Sequence, residues 1–508
     1  MPPIDRFTPI LPDTYRIRPD LIAGLLRECV PRILVVTDGL SFQAGDGFGL
    51  TEFVAALRAT TIHGMTPIVT TAFHGSDPSS GADLPTFDFA TGLQQPYDVL
   101  FIMGIGSAAK PAPGAAGGLA PAEVAAITAF MDAGKGVFAT GDHDALGAAL
   151  CGELPRIRDM RRWYVEDGAP SAHLPTRITT VSPGADGVFA FDDQSDDEPQ
   201  KIYPRYYQPA PGVSAPHPIL QAPTATPGAT YWPIELAPDH PHEGEVVEPA
   251  VAGLAGWPAG SPAPEIIAYG VTYGGAFPGK DAVRSPRTFG VVGAWDGHAV
   301  TKGRVVVEST WHHYVNINLD GTGTTRAALK PGGAPSPAYQ LLTAYWHNLA
   351  SWLMPARVRR CLRIAKLADV LVRFPLREEI GPVPWPPPGP DPLPDLGRRV
   401  IAELARTHTP AELAEALADL RALALGHEVP TATAWIDESV VGALVAWTLA
   451  DGHATPALAK RLGDPHTLAK RLPPQLGATI KASVSHQRNR LAALAKDRDA
   501  LAARVVPQ

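Results

Sequence analysis

The stretch RILVVTDG, residues 32–39, is an apolar, β-branched run that ends in Thr, Asp and Gly. A run of this kind, bounded by turn residues, predicts a buried strand. A Gly-rich loop and then a helical pattern, LTEFVAALRA, follow it. Because short apolar strands alternate with helices, the sequence predicts βαβ units and a parallel sheet covered on both faces. The further strands are predicted at 66–75, 97–107 and 135–142, with a helix at 119–134.

Polar residues follow these predicted strands at the ends where a parallel sheet binds its ligands. Such sheets bind ligands outside the carboxyl ends of the strands. Here those ends carry Asp38, the loop Gly104–Ser107 and the run Asp142-His143-Asp144. We therefore expect the chemistry of the protein at this edge.

The rest of the chain divides by composition. After a loop-rich insertion at about 165–260, strands are predicted at 265–273, 287–298 and 303–319, with a helix at 337–353. The segment GPVPWPPPGPDPLPD, residues 381–395, is too rich in proline for a helix and predicts a semi-rigid linker. The predicted organisation is an N-terminal extension (1–30), a flavodoxin-like α/β domain (31–380), the linker (381–395) and a helical C-terminal domain (396–508).

Composition excludes several classes of protein. With 45% hydrophobic and 19% charged residues among 508, the chain has ample material for large cores. Its net charge of −8 gives no general basic surface for nucleic acid. Neither a secretory signal nor an apolar run long enough for a transmembrane helix is present, so we expect a soluble, cytoplasmic protein. Three cysteines form no disulfide framework, and Cys29 and Cys151 are expected to be buried structural thiols.

Histidines and carboxylates cluster at three places and suggest a metal site. The first is Asp142-His143-Asp144 after a strand, for which an Asp N-cap with exposed neighbours is the alternative. The second is DHPHEGE, residues 239–245, where His240 and His242 would share one face of an extended segment. A solvated acidic loop is the alternative there.

The third cluster is divided between two strands that the short turn 300–303 would join as a hairpin. His298 ends the first strand, and His312 and His313 interrupt or end the second. If the second strand is extended, its two adjacent histidines point to opposite faces, so only one reaches a shared site. A histidine beside a tryptophan is also common as a hydrogen-bonded core residue.

Other enzyme templates fit less well. The sequence contains no G-x-S-x-G, G-x-x-x-x-G-K-[ST] or H-E-x-x-H motif. The run PRIRDMRRW, residues 155–163, places Arg156 and Arg158 near the first acidic cluster. These arginines either pair with acidic loops or clamp an anionic substrate.

The N-terminal part resembles the class I glutamine-amidotransferase-like superfamily, in particular its trehalose-utilisation (ThuA-like) branch. The resemblance rests on RILVVTDG, YDVLFIMG and GKGVFATGDH and covers roughly 32–150. It implies a flavodoxin-like fold with chemistry at the turn after the last of these strands. That turn reads Gly141-Asp142-His143 and lacks the nucleophilic cysteine, so glutaminase activity is not implied. ThuA-like proteins tend to carry a histidine at this place, and His143 would correspond to it.

Three longer strings, GVFATGDHDALG, PDHPHEGEV and STWHHYVNINL, also resemble a group of bacterial proteins to which no activity is attached. The resemblance therefore adds no reaction of its own.

The leading hypothesis is a metal-dependent hydrolase that acts on a small polar substrate through a metal-bound water. Zn²⁺ is the first expectation because of the imidazoles, with Mn²⁺ or Fe²⁺ open. Asp144 and Glu245 are the candidate catalytic carboxylates, with Glu245 as the general base for the metal-bound water, and Arg156 and Arg158 are the candidate substrate ligands. The candidate metal ligands are Asp142, His143, His240, His242, Glu243 and His312.

The alternative hypothesis is a non-catalytic ligand-binding or scaffold protein with the same fold. From Lys460 onward ten basic residues stand against three acidic ones, which indicates a solvated helix face or a surface for an anionic partner. The C-terminal helices are accordingly candidates for contacts with a protein partner or with a second copy of the chain.

Overall fold

The computed structural model describes most of the chain, in separate ranges. These are residues 30–62, 65–112, 117–142, 145–168, 200–210, 213–223, 232–237, 244–272, 287–323, 328–359, 392–405, 413, 417, 421, 434–450 and 474–505. The described strands are β1 (Arg32–Thr37), β2 (Ile68–Ser76), β3 (Leu84–Phe87), β4 (Val99–Met103), β5 (Gly136–Thr140), β6 (Gln200–Lys201), β7 (Tyr203–Pro204), β8 (Tyr206–Ala210), β9 (Val213–Pro216), β10 (Gln221–Ala222), β11 (Trp232–Pro233), β12 (Leu236–Ala237), β13 (Glu265–Thr272), β14 (Arg287–Trp295) and β15 (Val305–Glu308).

The helices fall into two groups along the chain. They are α1 (Thr51–Ala59), α2 (Phe89–Gly92), α3 (Pro121–Asp132), α4 (Ala148–Cys151), α5 (Ile157–Met160), α6 (Asn316–Leu319), α7 (Pro337–Leu353), α8 (Pro392–Ala405), α9 (Ala434–Ala450) and α10 (Pro474–Val505). Short 3₁₀ turns include Gly297–Val300 and His312–Tyr314. Within the described ranges, no helix has the length and apolar character needed to cross a membrane.

A nine-stranded sheet in the order β3-β2-β1-β4-β5-β15-β14-β13-β7 forms the centre of the unit at 30–359. The six strands from β3 to β15 run parallel, and β14, β13 and β7 extend the sheet in antiparallel pairings. Strands β4, β5 and β15 are buried along their whole length, as their continuous apolar sequences predicted. The prediction of a mixed α/β fold around a mostly parallel sheet is confirmed.

An aromatic cluster packs one face of the sheet against the helices. Phe53 of α1 makes edge-to-face contacts with Phe101 of β4, with Tyr314 and with Trp346 of α7. Phe138 of β5 lies beside Phe101 and Tyr314, with ring centroids 5.3 and 5.6 Å apart. Because Tyr314 belongs to the turn that follows β15, the cluster fixes this turn against the sheet.

The sequence overestimated the length of the last strand. Residues 303–319 were predicted as a strand that His312 and His313 interrupt or end. The strand β15 already ends at Glu308, and the chain then forms the 3₁₀ turn His312–Tyr314 and helix α6. The hydroxyl of Thr310 accepts a hydrogen bond from the N–H of His312, which favours a turn over a strand. The side-chain oxygen of Asn316 accepts from the N–H of Glu52 in the first turn of α1. The predicted hairpin of the two preceding strands is present, because β14 pairs antiparallel with β15.

The described C-terminal helices belong to a second compact unit. Helices α8 and α9 approach closely where Gly397 lies against the carbonyl oxygen of Glu438, since a Cβ on that glycine would meet it at 1.8 Å. Arg398 donates to both carboxylate oxygens of Glu438 at 3.1 Å. Helix α8 begins at Pro392, so the last residues of the predicted 381–395 linker are helical. The prolines there occupy a first turn, where no helical N–H bond is lost.

Candidate active site at the carboxyl edge of the sheet

Strand register brings four strand ends into one row. Thr37 of β1 pairs with Met103 of β4, Met103 with Thr140 of β5, and Thr140 with Glu308 of β15. The residues that follow these strands therefore emerge side by side at the carboxyl edge. This is the edge at which the sequence placed the chemistry.

Asp142 and His312, two of the predicted metal ligands, meet at this edge although 170 residues separate them. Nε2 of His312 lies 2.7 Å from Oδ2 of Asp142, and their side chains are 17% and 2% exposed. The His312 ring stacks on Trp311 with centroids 4.5 Å apart and an interplanar angle of 3°. A carboxylate and an imidazole in contact can relay a proton or ligate one cation together.

Hydrogen bonds to the backbone hold the pair in place. The N–H of Asp142 donates to the carbonyl oxygen of Leu146 at 3.0 Å, which closes the turn after β5. The hydroxyl of Thr140 donates to the carbonyl oxygen of Thr310 at 2.8 Å and ties the ends of β5 and β15 together. The pair is therefore positioned by the sheet itself.

Arg161 lies directly beneath this edge. Its Nη2 donates to the carbonyl oxygens of Asp142 at 2.8 Å and Ser309 at 2.9 Å, and its guanidinium lies 4.2 Å from the ring centroid of Trp163. Burial lowers the pKa of Arg161 to about 10, although the nearby charge of Asp142 opposes this shift. None of the described carboxylates forms an ion pair with it, and its Nε has no described partner.

Asp38, at the end of β1, was noted in the sequence as a strand end but not chosen as a site residue. Its Oδ1 accepts hydrogen bonds from the N–H groups of Ile105 at 2.7 Å and Gly106 at 3.0 Å. Burial raises its pKa in spite of these two bonds. Since β4 lies between β1 and β5, Asp38 is about 10 Å from the end of β5 at the usual strand spacing.

Glu245, the predicted general base, is engaged in an ion pair. Its Oε2 accepts from Nη1 of Arg162 at 2.6 Å, and its carbonyl oxygen accepts from the N–H of the same arginine. The carboxylate is 8% exposed. Glu245 would have to leave this arginine before it could take a proton from a water molecule.

Five predicted site residues lie outside the described residues: His143, Asp144, His240, His242 and Glu243. The described neighbours of these residues do lie together. Gly244 packs beneath the edge, since a Cβ on it would lie 2.2 Å from the carbonyl oxygen of Ser309 and 2.4 Å from Nη2 of Arg161. Within the ranges that the structure describes, no group of three or more potential metal ligands forms. A shared metal site of all these residues stays a prediction.

The two predicted substrate arginines have different surroundings. Arg156 is buried, pairs with Asp132, donates from Nε to the carbonyl oxygen of Gly256 and lies over the Trp295 ring. Arg158 is 39% exposed, and its Nε lies 3.6 Å from the neighbouring carboxylate of Asp159. Arg156 therefore stabilises the fold, whereas Arg158 is accessible to a ligand.

Of the described residues in the third cluster, His298 and His313 do not join the pair, and neither does Cys151. His298 lies at the opposite end of the β14–β15 hairpin, where its Nδ1 is 2.8 Å from Nη2 of Arg359. His313 lies in the core with its Nε2 2.7 Å from Oε1 of Glu308. Cys151 is buried, and burial raises the pKa of its thiol far above the usual range. An inert structural thiol, as the sequence predicted, fits this environment.

Comparison of the chain with family models, with curated proteins and with solved structures finds no match. The geometry of the edge therefore carries the functional argument by itself.

Proposed function

We propose that the protein is a metal-dependent hydrolase whose centre is the pair Asp142–His312. The observation that carries the proposal is the 2.7 Å separation of Oδ2 and Nε2 at the carboxyl edge. These are an oxygen and a nitrogen donor of the kind that Zn²⁺ binds at about 2.0–2.2 Å, with Mn²⁺ and Fe²⁺ as the alternatives. Two donor atoms that bind one ion lie about 3 Å apart, so Oδ2 of Asp142 and Nε2 of His312 would have to move only slightly to bind the same ion.

The cation would supply an activated water molecule for attack on a small polar substrate. The sequence offers His143, Asp144, His240, His242 and Glu243 as further ligands or catalytic groups. Asp38 is a second candidate for proton transfer besides Glu245, because its pKa is raised toward neutral pH.

The strand order supports a flavodoxin-like assignment for the parallel part of the sheet. If the edge strand β3 is set aside, β2-β1-β4-β5-β15 has the order 2-1-3-4-5 that defines doubly wound sheets of this type. This order agrees with the resemblance to ThuA-like proteins, which stays a proposal. We also propose that helices α8, α9 and α10 belong to an independent C-terminal domain.

Two matched variants test the metal centre. His312→Gln removes the imidazole from the pair, and His74→Gln removes the same group from His74–Glu123, in which the atoms lie 2.8 Å apart and the His side chain is 19% exposed. Titration calorimetry with Zn²⁺ should give a dissociation constant about ten- to a hundredfold higher for His312→Gln or Asp142→Asn than for the wild type. His74→Gln should leave it unchanged.

Equal Zn²⁺ affinity in the wild type and His312→Gln would contradict the metal centre. If the wild type binds no divalent cation at all, the protein is better described by the alternative hypothesis of a ligand-binding or scaffold protein.

A further inference from the structure

A cavity of about 660 Å³ is lined in part by Arg161, the residue that bonds the carbonyl oxygen of Asp142. It lies between the loop after β4, the first turn of α3 and the segment that contains α5. Its volume is in the range of sites for small organic molecules. Its position at the carboxyl edge is the one at which doubly wound sheets receive ligands.

Four cationic side chains line this cavity: Lys110, Arg158, Arg161 and Arg162. Three carboxylates, those of Glu153, Asp159 and Asp167, also line it, so the described lining carries one positive charge in excess. The side chains of Lys110, Arg158 and Arg162 are 45%, 39% and 36% exposed, and each lies within ion-pair distance of a carboxylate: Asp167, Asp159 and Glu245 respectively.

Arg161 distinguishes this cavity from a surface of ordinary ion pairs. Only 2% of the residue is exposed, yet its described hydrogen-bond partners are the carbonyl oxygens of Asp142, Ser309 and Arg162. A buried cation without a carboxylate partner is unfavourable in free energy. An anion in the cavity would reduce this penalty.

The walls indicate what kind of molecule carries the anion. The first turn of the twelve-residue helix α3 contributes Pro121 and Val124 to the wall of the cavity. Val124, Trp163 and Val247 supply apolar surface beside it. We propose that this cavity binds a small organic molecule that carries a terminal oxyanion, a carboxylate or a phosphate.

Arg161 connects the cavity to the proposed metal centre through its bond to the Asp142 carbonyl oxygen. If the bound molecule is the substrate of the hydrolase, the inference rests on the proposed function, because the oxyanion would then hold the substrate beside Asp142 and His312. As an anion site it can be tested without the cation. Failure of one proposal is therefore distinguishable from failure of the other.

The test measures anion binding by the full chain after divalent cations have been removed with a chelator and the chelator has been dialysed away. The probes are inorganic phosphate and acetate, followed by titration calorimetry and by the midpoint of thermal unfolding. Arg161→Met is the most direct variant but can disturb the fold, so Arg158→Gln is the second. The matched control is Arg58→Gln, whose arginine is 50% exposed and pairs with Asp83 beside a different cavity.

We expect the wild type and Arg58→Gln to bind one of the two probes with equal affinity. The dissociation constant should rise about tenfold or more in Arg158→Gln, as the loss of a charged hydrogen bond predicts. Whether phosphate or acetate binds more tightly identifies the oxyanion. Absence of binding to the wild type, or the same affinity in Arg158→Gln and Arg58→Gln, would overturn the proposal.

Discussion

Folding makes the ionised form of Asp38 unfavourable. Two N–H groups, those of Ile105 and Gly106, bond its Oδ1, yet burial still raises its pKa. The end of β1 is also where the order of the parallel strands reverses, since β2 lies on one side of β1 and β4 on the other. A carboxylate retained at this point, against stability, is typical of a functional group.

Replacement of Asp38 by Asn should stabilise the protein at neutral pH. A carboxyl whose pKa is raised by folding contributes stability below its unfolded value, near 3.8, and loses this contribution as the pH rises through the folded value. Asn keeps an oxygen acceptor for both N–H groups and has no charge to bury. Urea unfolding at several pH values should therefore show a gain for Asp38→Asn that increases with pH and disappears in acid.

Asp88 provides the control of opposite sign. Hydrogen bonds from Thr91 lower the pKa of Asp88, so its contribution to stability is present above the unfolded value and is lost as the pH falls. Asp88→Asn should lose stability at neutral pH and converge with the wild type in acid. A loss of stability at neutral pH in Asp38→Asn as well would refute the interpretation of Asp38.

Single residues show clearly what the sequence could and could not predict. Asp142 and His312 were predicted as site residues because the carboxylate ends one predicted strand and the imidazole interrupts or ends another. The ion pair of Glu245 with Arg162 and the bonds of Arg161 to carbonyl oxygens depend on tertiary placement. Residue type and spacing contain no signal for such bonds, so Glu245 was predicted as a base while Arg161 was only part of a basic run.

At the scale of elements, the turn His312–Tyr314 is anchored to the end of β15 by one carboxylate. Oε1 of Glu308 lies 2.7 Å from Nε2 of His313 and accepts from the Tyr345 hydroxyl at 3.0 Å, while Oε2 accepts from the Tyr314 hydroxyl at 2.6 Å. Burial, followed by the charge of Glu308, raises the pKa of both tyrosines well above the usual value. The turn that presents His312 is thus held by a buried polar network.

Tyr345→Phe should destabilise the protein by about 1.5–3 kcal/mol, since it removes a hydrogen bond to a buried charged group. Tyr339→Phe is the comparison: its hydroxyl bonds Glu52, which is 21% exposed and keeps Lys330 as a partner. Tyr339→Phe should lower the free energy of unfolding by less than Tyr345→Phe does. Guanidinium unfolding of both variants measures the difference, and an equal or larger loss for Tyr339→Phe would show that the Glu308 network contributes little.

The same turn explains why the last predicted strand was too long. The apolar run VVVE predicted β15 correctly, because strand propensity and burial coincide there. Beyond it, the alternation of apolar and polar residues at 315–319 also fits a strand. The competing bonds of Thr310 and Asn316 join side chains to backbone N–H groups, and that of Glu308 joins two side chains, so none of them can be recognised from periodicity.

At the scale of the whole molecule, the parallel part of the sheet was predictable and its antiparallel extension was only partly so. Continuous apolar strands separated by helices dictate a parallel sheet, and β1, β4 and β5 followed this pattern. The hairpin β14–β15 was predicted from its short turn. The placement of β15 beside β5 depends on a parallel pairing between segments about 170 residues apart, which no local pattern encodes.

The chain also divides into two compact units, one of which contains residues 30–359 and the other most of the residues from 360 onward. The sequence placed a boundary in the proline-rich segment 381–395. The helical start at Pro392 restricts the predicted linker to 381–391. Since each unit has buried apolar residues of its own, Val137 and Val440 among them, we expect each to fold independently.

A cleavable linker tests this organisation. Proline-rich backbone resists most proteases, so a recognition sequence for a specific protease should replace residues 386–389, and the same sequence after Gly442, inside α9, serves as the control. Under native conditions the linker site should be cut to completion because extended, proline-rich backbone is solvated, whereas the site within α9 should be cut slowly or not at all. Each purified fragment should then unfold cooperatively on heating. Fragments that aggregate or melt without a transition would show that the two units depend on one another for folding.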